Sequence, residues 1–176
     1  PSFVGFIPED RQKTGLFLDF NVAENFIIKD YAREPFVKSG VLKYAAIKDH
    51  ARKLIKKYDV RTPSENVQVR HLSGGNQQKV IIGRELNAEP VLDIASQATR
   101  GLDLGAVESV HNTLLKERDR GAAVLFISTE LQEVMSLSDR IIVLFRGQLV
   151  GEVDGNEADV TTIGQMMLGH TPEVAA

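Results

Sequence analysis

The chain has 176 residues, with 43% apolar and 26% charged content, the balance of an ordinary globular domain long enough to bury a core. A net charge of −3 gives no basis for broad binding to nucleic acid or to an acidic membrane surface. The absence of cysteine excludes disulfides, thiol catalysis and cysteine-ligated metals, and it fits a cytosolic protein.

Phe3-Val4-Gly5-Phe6-Ile7 reads as a buried strand stopped by Pro8. The chain opens directly on this stretch at Pro1, without a methionine, and a fragment of a longer protein is expected. A charged loop, Pro8-Glu9-Asp10-Arg11, then runs to Gly15. Val22 to Tyr31 is predicted as one helix, and Glu34-Pro35 and Ser39-Gly40 punctuate a loop. Ile47, Ala51, Leu54, Ile55 and Tyr58 share one face of the next helix. Lys48, Arg52, Lys53, Lys56 and Lys57 fall on its opposite, solvated face.

Leu72-Ser73-Gly74-Gly75-Asn76-Gln77-Gln78-Lys79 comes next, followed by the apolar helical run Val80-Ile81-Ile82 and Leu86. A serine at a helix start can cap free N–H groups, and glycines let the backbone approach a ligand. The positive end of the helix then favours an anion, above all a phosphate. Taken alone, Ser-Gly-Gly reads first as a turn that merely starts a buried helix, because short glycine motifs match by chance.

From Pro90 the rhythm becomes strand, helix, strand. Val91 to Ala95 and Ala122 to Ser128 are predicted strands. Between them a helix carrying Val107, Val110 and Leu114 ends near Arg120-Gly121. A helix marked by Leu131, Val134 and Met135 is expected to start on a capping box of Thr129 and Gln132. Arg140 to Phe145 is a third strand, turning at Arg146-Gly147 into Gln148 to Val153. Fully apolar strands alternating with helices predict a parallel sheet covered on both faces. Ile163, Met166 and Met167 suit a last short helix, and a frayed tail is expected after His170. His50, His71, His111 and His170 lack ligand spacing, so no metal site is predicted. No apolar run approaches the length of a membrane span, and no signal peptide is visible.

This order of motifs resembles the ATP-binding cassette of ABC transporters. Leu72 to Lys79 looks like the signature motif, and its Asn-Gln-Gln-Lys ending is similar to that of sugar and nucleoside importers that fuse two cassettes in one chain. Val4 to Arg11 resembles the start of the Q-loop region of the second cassette, with Glu9 at the name-giving position. Thr99-Arg100-Gly101-Leu102-Asp103 looks like the D-loop, and Ser138 through Gly147 is similar to the strand and hairpin after the switch-histidine position. Tyr58 to Pro63 and the insert near Glu34-Pro35-Phe36 bring the match closest to nucleoside importers, with sugar uptake the near alternative.

The resemblance implies an α/β, P-loop NTPase-like cassette fragment over residues 1–170. Its core would be 1–19 and 71–170, with a helical subdomain at about 20–70, a C-terminal β-hairpin and a tail at 171–176. It implies an ATPase, acting with ATP and Mg²⁺, that serves uptake from the cytoplasmic face of a membrane. The implied partners are the N-terminal cassette of the same protein, transmembrane permease subunits and, indirectly, a solute-binding protein, with no nucleic acid. Ser73, Gly74, Gly75, Asn76 and Gln77 would face nucleotide, Asp103 would contact the partner cassette, and Glu9 is a candidate for coupling to the permease and equally a plain surface carboxylate.

Departures from the family pattern are informative. No Gly-x-x-x-x-Gly-Lys-Ser/Thr occurs, so the phosphate loop is expected before Pro1 and the piece alone is expected to be inactive. Ser96 and Gln97 stand where the family has an Asp and a Glu, Ala98 where a Pro is usual, and Thr129 where a His contacts the γ-phosphate. Neither Ser96 nor Gln97 can act as a carboxylate base. Asp93 lies in the strand out of register for a metal ligand. Cassettes of this family pair head to tail, so an intact signature beside degenerate catalytic positions implies asymmetry. This chain would donate its signature to the partner's ATP. The alternatives are a non-catalytic interaction module and a cassette ATPase head of DNA-repair type, the latter opposed by the lack of a heptad run.

Overall fold

In the computed structural model, which describes residues 3–170, three short strands form a parallel sheet. They are β1 (Val4–Ile7), β4 (Leu92–Ser96) and β5 (Ala123–Ile127), ordered β1-β4-β5. Gly5, Phe6 and Ile7 lie opposite Asp93, Ile94 and Ala95, which lie opposite Val124, Leu125 and Phe126. The chain forms two compact units, Pro1–Ile127 and Ser128–Ala176, and the sheet belongs to the first.

Between β1 and β4 the first unit carries a π-helical turn at Arg11–Gly15, helix α1 (Val22–Ile27), a small hairpin of β2 (Val37–Lys38) and β3 (Val41–Leu42), and helix α2 (Tyr44–Lys57). A 3-10 turn at Val69–His71 leads into helix α3 (Gly74–Leu86). Helix α4 (Leu104–Asp119) connects β4 to β5. Asn21 and Glu24 start α1 with a reciprocal capping box, each side chain holding the other's backbone N–H. The predicted helix to Tyr31 stops at Ile27, where tight turns to Asp30 and Arg33 replace it.

Helix α3 is the centre of this unit. It packs on β1, α1, α2 and α4, so it is buried on nearly every side. Val80, Ile81, Ile82 and Leu86 are fully enclosed, each contributing about 1.5–3 kcal/mol by burial. Glu85, also buried, accepts from the Phe6 amide at 3.1 Å and from Arg84 Nε at 2.9 Å, and it pairs with Lys29. These bonds tie α3 to the edge strand and satisfy an otherwise costly buried charge.

The sheet departs from the predicted two-sided cover. Its inner face, with Gly5, Ile7, Asp93 and Ala95, lies under α3 and α4. The other face leaves Phe6 47% and Leu125 48% exposed, together with Val4 and Ile127. The apolar strands predict cover on both sides, and the helices of this unit cover one.

The second unit holds helix α5 (Leu131–Leu137), the antiparallel pair β6 (Arg140–Phe145) and β7 (Gln148–Asp154), and helix α6 (Val160–Met167). Arg146 and Gly147, both at positive φ, make its two-residue turn. Its core is Ile141, Val143, Ile163 and Met166. Within this unit β6 pairs with β7 in antiparallel register. The expected tail at 171–176 lies outside the described residues.

Candidate functional site

Three segments of the first unit converge at the start of α3. Ser73 is the N-cap residue by backbone geometry, but its side chain makes no capping bond. Its Oγ instead accepts from Asn76 Nδ2 at 2.9 Å, a correction to the expected cap. A hydroxyl that accepts one bond still has its own proton to donate. Asn76 is fixed in turn, because its Oδ1 accepts from the Arg61 amide at 2.7 Å. The Gln77 amide closes the first turn on the Ser73 carbonyl at 2.9 Å. The amides of Gly74 and Gly75 belong to the first turn, which has no intrahelical acceptor.

Gly75 cannot be enlarged freely, since a Cβ there would lie 2.9 Å from Ala106 Cβ and 3.8 Å from Asp103 Oδ2. The start of α3 therefore lies beside the start of α4. Asp103 is the N-cap of α4, its Oδ1 accepting from the Ala106 amide at 2.9 Å, where the helix dipole favours its charge.

The third segment is the loop after β1. Asp10 caps the π-helical turn by accepting from the Gln12 and Lys13 amides at 3.1 and 3.0 Å. The Lys13 amide bond is the main cause that holds its carboxyl below the usual value. Glu9 pairs with Arg100, and Arg11 Nη1 donates to the Arg100 carbonyl at 2.8 Å. Glu9, Arg11, Arg100 and Gly101 line one cleft.

Gln77 is buried and faces inward. Its Nε2 donates to the Val69 carbonyl and its Oε1 accepts from Gln12 Nε2, both at 3.2 Å. Its side chain fixes how the 3-10 turn and the post-β1 loop meet α3.

Ser96 ends β4, and Gln97 follows at φ 49°, its amide donating to the Ile127 carbonyl at 2.8 Å. The Arg100 amide returns to the Gln97 carbonyl at 3.1 Å, so a tight turn joins these two positions to Asp103. The Ser96 and Gln97 side chains are neutral, so this donor set does not fit a Mg²⁺ ion. No group of three or more His, Asp or Glu that could hold a metal occurs among the described residues. Asp93 is fully buried on the inner face, against Gly5, and its Oδ atoms have no hydrogen-bond partner. Burial is the main cause that pushes its carboxyl up to about 6, with Glu117 adding to it.

Thr129 belongs to the second unit. By backbone geometry the N-cap of α5 is Glu130, one residue after the expected Thr129, and the Glu130 side chain makes no cap bond. Ser128 Oγ, just before the helix, accepts from the Glu130 amide at 3.0 Å and donates to Glu133 at 3.1 Å. The sequence reading passed over Ser128 and also Arg11, whose partner lies 89 positions away.

Comparison with known proteins adds context to this geometry. The chain is 49% identical over 174 residues to the guanosine import ATP-binding protein NupO of Bacillus subtilis, a match covering 99% of this chain and 34% of that protein. It is 48% identical to the nucleoside import ATP-binding protein NupA of Lactococcus lactis, covering 94% and 33%. It is 35% identical to the ribose import ATP-binding protein RbsA of Bacillus subtilis, covering 94% and 33%. The chain thus spans about a third of the length of these curated relatives. No family model matches it. A solved dimeric, post-hydrolysis state of an ATP-binding cassette bound to ADP and Pi aligns with a TM-score of 0.67 at 24% identity, covering 86% of this chain and 62% of that one. The fold is therefore that of an ATP-binding cassette, a parallel sheet flanked by helices with a C-terminal antiparallel hairpin.

Proposed function

We propose that this chain is the signature-bearing part of the second, C-terminal cassette of an ABC import ATPase, which couples ATP binding and hydrolysis to uptake of nucleosides or simple sugars. The relatives' names support import of this type, and the two nucleoside proteins at 48–49% identity favour nucleosides over the sugar protein at 35%. In this reading the protein acts on the cytoplasmic face of the membrane through permease subunits. No described helix is long and apolar enough to cross a membrane itself.

The observation that carries the reading is the start of α3. Asn76 occupies one acceptor position of Ser73 Oγ, which leaves the hydroxyl proton to donate outward beside the first-turn amides of Gly74 and Gly75. Such a cluster of donors at a positive helix end suits a phosphoryl group. During hydrolysis charge builds on the γ-phosphate oxygens, and preorganised donors stabilise it as the bond to ADP breaks. Asn76 and Gln77 hold the serine and the helix start in place. Asp103, at the neighbouring helix start, would meet the partner cassette, and Glu9 would link this edge to the permease.

The chain's own 176 residues contain no phosphate loop motif. In a head-to-tail pair of cassettes, the ATP facing Ser73 would rest on the phosphate loop of the N-terminal cassette. Ser96, Gln97 and Thr129 supply neither carboxylate nor imidazole, so this cassette's own site would hydrolyse slowly. Mg²⁺, where bound, would neutralise phosphate charge, and its ligands would come from the partner cassette's site. The test is Ser73→Ala in the full-length protein, which removes the outward donor and adds no bulk, and transport-coupled ATPase activity should fall at least about tenfold. Retained activity would overturn the reading.

A further inference from the structure

The guanidinium of Arg11 lies against Gly74. A Cβ added to Gly74 would stand 3.0 Å from Nη2, 3.4 Å from Cζ and 3.6 Å from Nε. The same Nη2 is 3.7 Å from where a Cβ on Gly101 would be, and Nη1 donates to the Arg100 carbonyl at 2.8 Å. Nε is buried without a partner. One side chain from the post-β1 loop thus fills the gap between the signature helix and the turn that leads to Asp103. The same loop grips Arg100 a second time, through the Glu9 ion pair.

We propose that Arg11 is a positioning residue that sets the distance between the start of α3 and the Arg100–Asp103 turn, and that Gly74 is glycine because Arg11 occupies its side-chain space. This inference rests on the proposed function for its catalytic consequence, though not for its geometry. A methyl group at residue 74 would displace Nη2 by a few tenths of an ångström, and the rigid guanidinium fork would move Nη1 on the Arg100 carbonyl with it. The turn would then shift, and with it Asp103, which must meet the same partner surface as Ser73. A lysine cannot replace the arginine, because a single ammonium cannot cover Gly74 and reach the Arg100 carbonyl together.

Arg11→Ala, Arg11→Lys, Gly74→Ala and the Arg11→Ala/Gly74→Ala double variant of the full-length protein test this with steady-state ATPase assays over a range of ATP. Each single variant should lower kcat about tenfold and leave KM for ATP within about twofold, because docking of the formed edge is lost rather than ATP binding to the partner loop. Arg11→Lys should not rescue. The double variant should be no worse than Arg11→Ala, since the methyl group at residue 74 has nothing left to displace. A double variant worse by the product of the two single effects would overturn the proposal, because Gly74 would then serve the anion alone. Amide hydrogen exchange without nucleotide gives an independent readout. Arg11→Ala should speed exchange about tenfold over residues 100–103 and leave 80–86 unchanged. Unchanged exchange at 100–103 would also overturn it. If the unsubstituted protein hydrolyses no ATP, the proposed function fails, and the exchange measurement still decides the role of Arg11.

Discussion

Asp93 and Gly5 are partners across the β1–β4 ladder, and the carboxylate of Asp93 occupies the space that a side chain on Gly5 would need. Nothing bonds either carboxylate oxygen, and burial has pushed its pKa up to about 6 from an ordinary 3.8. The charged form is therefore the disfavoured one in the fold.

Stability should respond to pH accordingly. The folded pKa is raised, so the favourable term is fully present below about pH 4 and is lost as pH rises through 6. The loss by pH 7 is at most about 3 kcal/mol. Asp93→Leu has similar heavy-atom topology and no charge. It should raise stability at pH 7 by about 1–3 kcal/mol and flatten the profile between pH 4 and 6. Denaturant unfolding at several pH values measures both.

Asp103 has two separable roles. Asp103→Ala removes the N-cap of α4 and should cost about 1 kcal/mol. Asp103→Asn caps equally well and should keep stability within about 0.5 kcal/mol. A fall in ATPase activity in Asp103→Asn then reports the interface role alone, and unchanged activity would reduce Asp103 to a cap.

Glu9 and Arg100 form an exposed pair, worth at most about 1 kcal/mol. Glu9→Gln should therefore leave the melting temperature nearly unchanged. Its expected effect is on coupling, with less solute taken up per ATP hydrolysed in reconstituted transporter. An unchanged ratio would leave Glu9 as a surface residue.

Much of this fold was readable from periodicity and punctuation. The strands β1, β4 and β5 follow apolar runs, α4 ends at Arg120-Gly121, and Arg146-Gly147 makes the hairpin turn. The start of α3 was readable because Ser-Gly-Gly precedes an apolar helical run. Local reasoning was less secure about caps. Ser73 is expected to cap, but Asn76 claims its hydroxyl, and α5 starts one residue later than the expected Thr129. The end of α1 was missed because the turns after Ile27 keep helix-like composition. Two-sided cover of the sheet was inferred from apolarity, which does not say which segment of chain does the covering. Contacts such as Arg11 to Arg100 join residues far apart in sequence, and no local signal announces them.

The claim that this chain completes a partner's ATP site, rather than catalysing at its own, rests on Ser73 against Gln97. Ser73→Ala removes one hydroxyl and adds no bulk. Gln97→Asn keeps a residue that tolerates the left-handed backbone found at this position. Steady-state ATPase activity of the full-length protein should fall at least about tenfold in Ser73→Ala, the scale of losing one transition-state donor. It should stay within about twofold in Gln97→Asn. The reverse pattern, with Gln97→Asn disabled and Ser73→Ala active, would contradict the account.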